Sequence, residues 1–202
     1  QAVSDAHQLE ATPLCVTFAE HPAQVLAPER APGLIQHLPQ RLAAIEALGI
    51  ETTLVLPFDE AMSQIPAEMF IQGLYVDLGR IHSICVGAHF AFGHQRQGNV
   101  ELLQRLGQEM NFIVHGLASI SLDDETVSST RIRQAIETGQ LDAAGQMLGR
   151  EYALTGEVIQ GDQRGRELGY PTANLEVDGL CLPPNGVYAA HAQVGETTHR
   201  AA

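Results

Sequence analysis

Over its first 115 residues the chain alternates short apolar runs with segments of helical period, the pattern of parallel strands covered by helices. The runs are 13–18 (PLCVTF), 52–56 (TTLVL), 81–86 (IHSICV) and 111–115 (NFIVH). After the first run, Leu38, Leu42, Ile45 and Leu48 recur at helical spacing, and Gly49 stands where a left-handed cap would end that helix. Pro66 opens the next helix at its first position, with Phe70, Leu74 and Leu78 on one face. Asn99 caps a third helix that carries Leu102, Leu103 and Leu106. These elements predict an open α/β parallel sheet.

Beyond residue 115 the alternation stops. Two short helices are predicted over 129–138 and 140–148, with Gly139 between them and Gly149 ending the second. From Tyr152 the period changes to two: Tyr152, Leu154, Gly156 and Val158 alternate with polar residues, and glycines and prolines punctuate short runs as far as 187–194 (VYAAHAQV). That is antiparallel β patterning. The change places a boundary at 149–151 and gives two domains, 1–150 and 151–202.

Charge narrows the partners. Twenty-four acidic against 11 basic side chains give a formal charge of −13, which repels nucleic-acid phosphates and anionic lipid unless basic residues are segregated. The densest basic stretches, Arg131 to Arg133 and Arg164 to Arg166, are short and read as local phosphate ligands. Cys15, Cys85 and Cys181 are widely separated and odd in number, so neither a disulfide framework nor a metal site is indicated, and a reducing cytosol fits. His89 and His94 are five apart around a glycine and make no metal box. No apolar run reaches membrane-spanning length. The chain opens at Gln1 on what reads as the polar end of a helix, which does not decide whether a targeting peptide precedes it.

Three segments carry chemistry. In VSSTRIR, 127–133, Ser129 or Ser128 can cap a helix, Thr130 adds a hydroxyl and Arg133 a charge one turn later. Such a helix start can hold a polyphosphate through its amides, dipole and guanidinium. A plain helix cap with a solvated arginine accounts for these residues equally well. The loop VGAHFAFGHQRQGN, 86–99, leaves a strand at the end where open α/β sheets bind ligands, although Phe90 and Phe92 could simply tuck into the core. TFAEHP, 17–22, also leaves a strand end, and its His-Pro pair alone is more often a turn than a site. Farther on, GEVIQGDQRGRELGYPTANL, 156–175, is either a series of β-turns or a nucleotide loop.

Taken in order, TFAEHP, VGAHF followed by FGHQRQG, SSTRIR, LGR and the PTAN segment resemble the bacterial FAD synthetase family over essentially the whole chain. The resemblance implies a Rossmann-like nucleotidyltransferase domain that transfers AMP from ATP to FMN, followed by the start of a riboflavin kinase β-barrel that phosphorylates riboflavin. Ser129, Thr130 and Arg133 then match the ATP-phosphate motif, with Arg133 in a catalytic role. Gly87, His89, Phe90, Phe92 and Arg96 fall in the flavin-side loop, where His89 stands in place of the family's Asp or Asn. In the kinase segment Gly161, Gly165 and Gly169 match turns close to a nucleotide, Thr172 and Asn174 match residues that bind ATP and Mg2+, and 182–188 (LPPNGVY) matches the next block.

By the same likeness the partners are small molecules, namely ATP, riboflavin and FMN, with Mg2+ required and neither nucleic acid nor membrane involved, in the cytoplasm. The family's HxGH motif would precede Gln1 and the kinase's catalytic glutamate would follow Ala202, so this stretch alone is expected to perform neither reaction. Two other readings remain: a flavin- or nucleotide-binding module without catalysis, and a nucleotidyltransferase for another phosphorylated acceptor such as phosphopantetheine. The PTAN segment argues against the latter.

Overall fold

The computed structural model describes residues 1–161, 169 and 172–202. Gly165, one of the expected kinase turns, lies outside the described residues, as do Arg164 and Arg166.

The first half runs α1 (Ala2–Leu9), β1 (Leu14–Phe18), α2 (Ala23–Leu26), α3 (Leu38–Glu46), β2 (Thr52–Leu56), α4 (Glu60–Ser63), α5 (Ala67–Leu78), β3 (Ser83–Gly87), α6 (Val100–Met110) and β4 (Ile113–Leu117). The expected caps explain several ends. Asn99 accepts from the Leu102 amide at 2.8 Å, and Gly49 is left-handed at φ 85°. Pro66, expected as the first helical residue, has ψ 146° and stands one position outside α5.

The expected single sheet is instead two parallel pairs. β1 pairs with β2, from Leu14 opposite Thr52 to Phe18 opposite Leu56, and β3 pairs with β4, from Ser83 opposite Ile113 to Gly87 opposite Leu117. Each parallel pair spans a helical crossover, as parallel pairing requires. No ladder joins the pairs among the described residues; α1 packs on β3 instead. Its anchor is Asp5, 7% exposed, whose Oδ2 accepts from Ser83 Oγ at 3.0 Å and lies 3.1 Å from His115 Nε2.

Packing is concentrated on the β3–β4 side. Ala67 and Ile71 of α5, Leu103 and Leu106 of α6, Phe92 and Phe112 form one buried cluster. The buried face of α5 is therefore Ala67 and Ile71 with Phe70 and Tyr75 beside them, while Leu78 of the expected stripe is exposed.

A short hairpin follows, β5 (Ser121–Leu122) and β6 (Glu125–Thr126), whose turn residues Asp123 and Asp124 have φ of 54° and 62°. Two positive φ values match the primed turn that suits strand twist. Next come α7 (Ser129–Glu137) and α8 (Leu141–Leu148), with Gly139 between them and Gly149 ending the second as the sequence predicts, both left-handed. Ile132, Ala135 and Ile136 of α7 and Ala144 of α8 bury a second cluster together with Cys181.

In the last segment burial alternates through Tyr152, Leu154 and Gly156, and the strands are β7 (Val158–Ile159), β8 (Asn174–Leu175), β9 (Ala190–Val194) and β10 (Thr197–Ala201). They form two separate antiparallel pairs, β7 with β8 and β9 with β10. The expected barrel is not closed among the described residues, because closure needs a continuous staggered ladder and these pairs share none. β9 begins at Ala190 rather than 187, since Tyr188 turns back to donate its hydroxyl to Pro184 O at 2.6 Å.

Candidate functional site

The residues singled out from the sequence fall at strand ends and at one helix start. α7 is capped by Ser128, whose Oγ accepts from the Arg131 amide at 3.2 Å. Ser129 and Thr130 are thereby placed in the first turn with exposed hydroxyls. Arg133, half-buried one turn on, donates from Nε to Gly33 O at 2.7 Å, a bond that engages one of its three nitrogens. Arg131, in the same basic stretch, is engaged with the protein. It donates from Nη1 to Leu122 O and Glu125 O, both at 2.8 Å, and its Nε lies 3.1 Å from Glu125 Oε2, so it holds the β5–β6 hairpin against α7.

The 86–99 loop divides into an exposed tip and a pinned return. Gly87, His89, Phe90 and Arg96 are exposed. Phe92 belongs to the core, and Phe90 stacks on it at 5.3 Å between ring centres. Phe92 and Gly98 exchange backbone hydrogen bonds of 3.1 and 2.9 Å, and His94 is fixed by Ile65 O at 2.8 Å. Gly93 permits this approach: at φ 72°, it sits where a Cβ would come within 2.5 Å of Ala67 Cα. The return of the loop is thus pinned against α5.

At the end of β1, Phe18 meets Phe58 edge-on at 5.0 Å. His21 follows, its Nδ1 accepting from the Ala23 amide at 3.1 Å. Burial lowers the His21 pKa below its usual value, and the charges of Arg133 and Arg41 lower it further. Arg41 was missed from the sequence, where one arginine in an amphipathic helix reads as solvated. In α3 it donates to Phe18 O at 2.6 Å and to Ala19 O at 3.1 Å.

The second segment reaches back to this site. Leu34 N donates to Gly179 O and Cys181 N to Leu34 O, both at 2.8 Å, and the Tyr152 hydroxyl donates to Cys181 O. Arg133 therefore holds a residue, Gly33, that adjoins a bridge into the last segment. Burial raises the Cys181 pKa to about 11, aided by Glu137, and that of Tyr152 to about 12, aided by Cys181. In the last segment Thr172 and Asn174 are exposed, Asn174 lying on β8 opposite Ile159. The Asn174 side chain fills the space a Cβ at Gly161 would need, and Gly169 is left-handed at φ 81°.

A helix start with hydroxyls and a guanidinium beside parallel strand ends, joined to a β segment with its own glycine and amide loop, defines a two-part α/β and β protein. Residues 1–131 match the family described as FAD synthetase, and residues 148–202 the one described as riboflavin kinase. The chain belongs to the FAD synthetase family, and the segment after its first domain matches the riboflavin kinase family.

Its relatives include bifunctional riboflavin kinase/FMN adenylyltransferases. That of Haemophilus influenzae is 31% identical over 94% of this chain and 61% of its own length, that of Escherichia coli K12 32% over 87% and 56%, and that of Pseudomonas fluorescens 32% over 90% and 58%. The chain thus spans 56 to 61% of these relatives' length. A solved structure from Streptococcus pneumoniae, described as a macrolide-efflux protein, superposes with a TM-score of 0.82 at 29% identity, covering 98% of this chain and 64% of that one. Among the described residues no helix is long and apolar enough to cross a membrane.

Proposed function

We propose that the protein makes FAD in two ATP-dependent steps: riboflavin to FMN in the segment after residue 150, then FMN to FAD in the first domain. The observation that carries the reading is the start of α7, where Ser129 and Thr130 stand exposed and Arg133 projects one turn on. Adenylyl transfer is mostly positioning and charge neutralisation, and these groups supply both to an ATP polyphosphate. The 87–98 loop, with Gly87, His89, Phe90 and Arg96 exposed on its pinned base, is the flavin-side surface, and Phe92 supports Phe90 from beneath.

In the second segment Thr172 and Asn174 present side-chain oxygens, the ligand type Mg2+ prefers. Among the described residues no cluster of three His, Cys, Asp or Glu forms a protein cage, so an ion there would be shared between these oxygens, water and substrate phosphates. Mg2+ so placed would neutralise phosphate charge. The chain's own part is to orient the nucleotide by the close approach of Gly161 to Asn174.

Titration calorimetry of this chain with ATP and with FMN tests the assignment without turnover. Arg133→Ala should weaken ATP binding to the first site by about 1.5 to 3 kcal/mol, one to two decades, while Asn174→Ala affects only the second. Equal losses at both sites in the Arg133 variant would make that residue structural and remove the reading's main support.

A further inference from the structure

We infer that Arg41 is a positioning residue for the first domain's site: by clamping the Phe18 and Ala19 carbonyls it fixes the turn that presents His21 as a neutral imidazole whose Nε2–H donates to a phosphoryl oxygen of the substrate. The inference rests on the adenylyl-transfer reading for its ligand and on geometry for the rest.

The tautomer follows from the donor. A backbone amide can only donate, so the Ala23 N–H at 3.1 Å requires a lone pair on His21 Nδ1. The ring proton is then on Nε2, and protonating Nδ1 would sacrifice that bond. The charged groups acting on the ring are Arg41 from α3 and Arg133 from α7; among the described residues no carboxylate contributes. Both charges and burial oppose a second proton, so the ring stays a neutral donor as pH falls below the ordinary histidine value.

Arg41 supports this arrangement in two ways. Its Nη2 bridges the two carbonyls from which the chain turns toward His21, and the Ala19 amide continues the β1–β2 ladder to Leu56 O at 2.9 Å. The turn is thus pinned from both sides. Among the described residues the guanidinium has no carboxylate partner and its buried Nε no acceptor, so there the positive charge meets only carbonyl dipoles. A site prepared for an anion tolerates such an uncompensated charge, and a bound phosphate would offset it.

Imidazole nitrogen NMR of the 202-residue chain reads tautomer and titration directly, with His21→Gln assigning the signal. His21 is expected as the Nε2–H tautomer with a midpoint below about 6.5. Arg41→Gln should raise the midpoint and mix the tautomers, whereas Arg41→Lys, which keeps the charge and several donors, should stay near the parent. An Nδ1–H ring in the parent, or a His21 signal indifferent to Arg41→Gln, overturns the inference, and the first of these needs no Arg41 variant that folds. In the intact protein, Arg41→Gln should lower kcat/KM for FMN adenylylation roughly tenfold, with Lys restoring most of it and riboflavin phosphorylation unchanged. An unaltered kcat/KM would overturn the positioning role. An intact protein that never adenylylates FMN, although His21 shows the NMR signature, would refute the proposed reaction and, with it, the phosphoryl ligand of His21.

Discussion

Gly33 shows how one missing side chain ties the candidate site to the rest of the molecule. Its carbonyl receives Arg133 Nε, and a Cβ on it would lie 3.0 Å from Cys181 N and 3.1 Å from Cys181 Cα. Backbone atoms cannot rotate away as a flexible side chain would, so Gly33→Ala must push residues 180–181 outward or shift the carbonyl that holds Arg133. Overpacking of this kind costs about 1 to 3 kcal/mol. The expected result is a melting temperature lower by several degrees together with weaker ATP binding, and an unchanged melt would mean that the strand-like contact yields freely. Cys181 itself is 3% exposed with its pKa raised to about 11, so little thiolate forms near neutrality. Disulfide-exchange labelling of the native chain at pH 8 should reach Cys181 last, after the half-buried Cys15 and Cys85. Labelling of Cys181 at the rate of Cys15 would show that the junction opens readily.

At the scale of elements, α1 is held to the β3–β4 pair by one buried carboxylate. Burial alone would raise the Asp5 pKa, but hydrogen bonds from Gln1 and Ser83, the charge of His115 and the Cys85 thiol together lower it. A carboxylate depressed in the fold stabilises the folded state fully above its unfolded pKa of 3.8 and loses that contribution as pH falls through the folded value. Amide exchange in α1 should therefore accelerate below about pH 4 relative to α6, and Asp5→Asn should abolish that difference. Exchange that keeps the same pH dependence in the variant would locate the acid-sensitive group elsewhere.

Much at this scale was legible in the sequence. The four strands, the Asn99 cap and the paired glycines around α8 all follow from period and local chemistry. β3 and β4 begin two residues later than their apolar runs, because apolar Ile81 and Phe112 are recruited by the core before pairing starts. The β5–β6 hairpin was not legible, since two-residue strands carry no period; its only sign was the Asp123–Asp124 pair. Nor could spacing show that Arg131 holds a hairpin while Arg133 faces the site, or that Arg41 reaches back to β1.

For the whole molecule, the covalent boundary and the packing boundary do not coincide. The change of pattern at 149–151 marks where the chain alters character, yet Cys181, from beyond it, completes the cluster of Ile132, Ala135, Ile136 and Ala144, with Tyr152 packed alongside. A chain cut at residue 150 should therefore melt lower than the longer one and bind a dye for exposed apolar surface, whereas equal melting would show that α7 and α8 need no cover. The same geometry sets a schedule for synthesis. Cys181 lies 33 residues after Leu148. At about 5 to 20 residues per second the ribosome delivers that cover roughly 2 to 7 s after the last helix of the first domain has been made. During that interval the helices that present Arg133 lack part of their core, so the nascent first domain waits on its downstream neighbour before the start of α7 can be set.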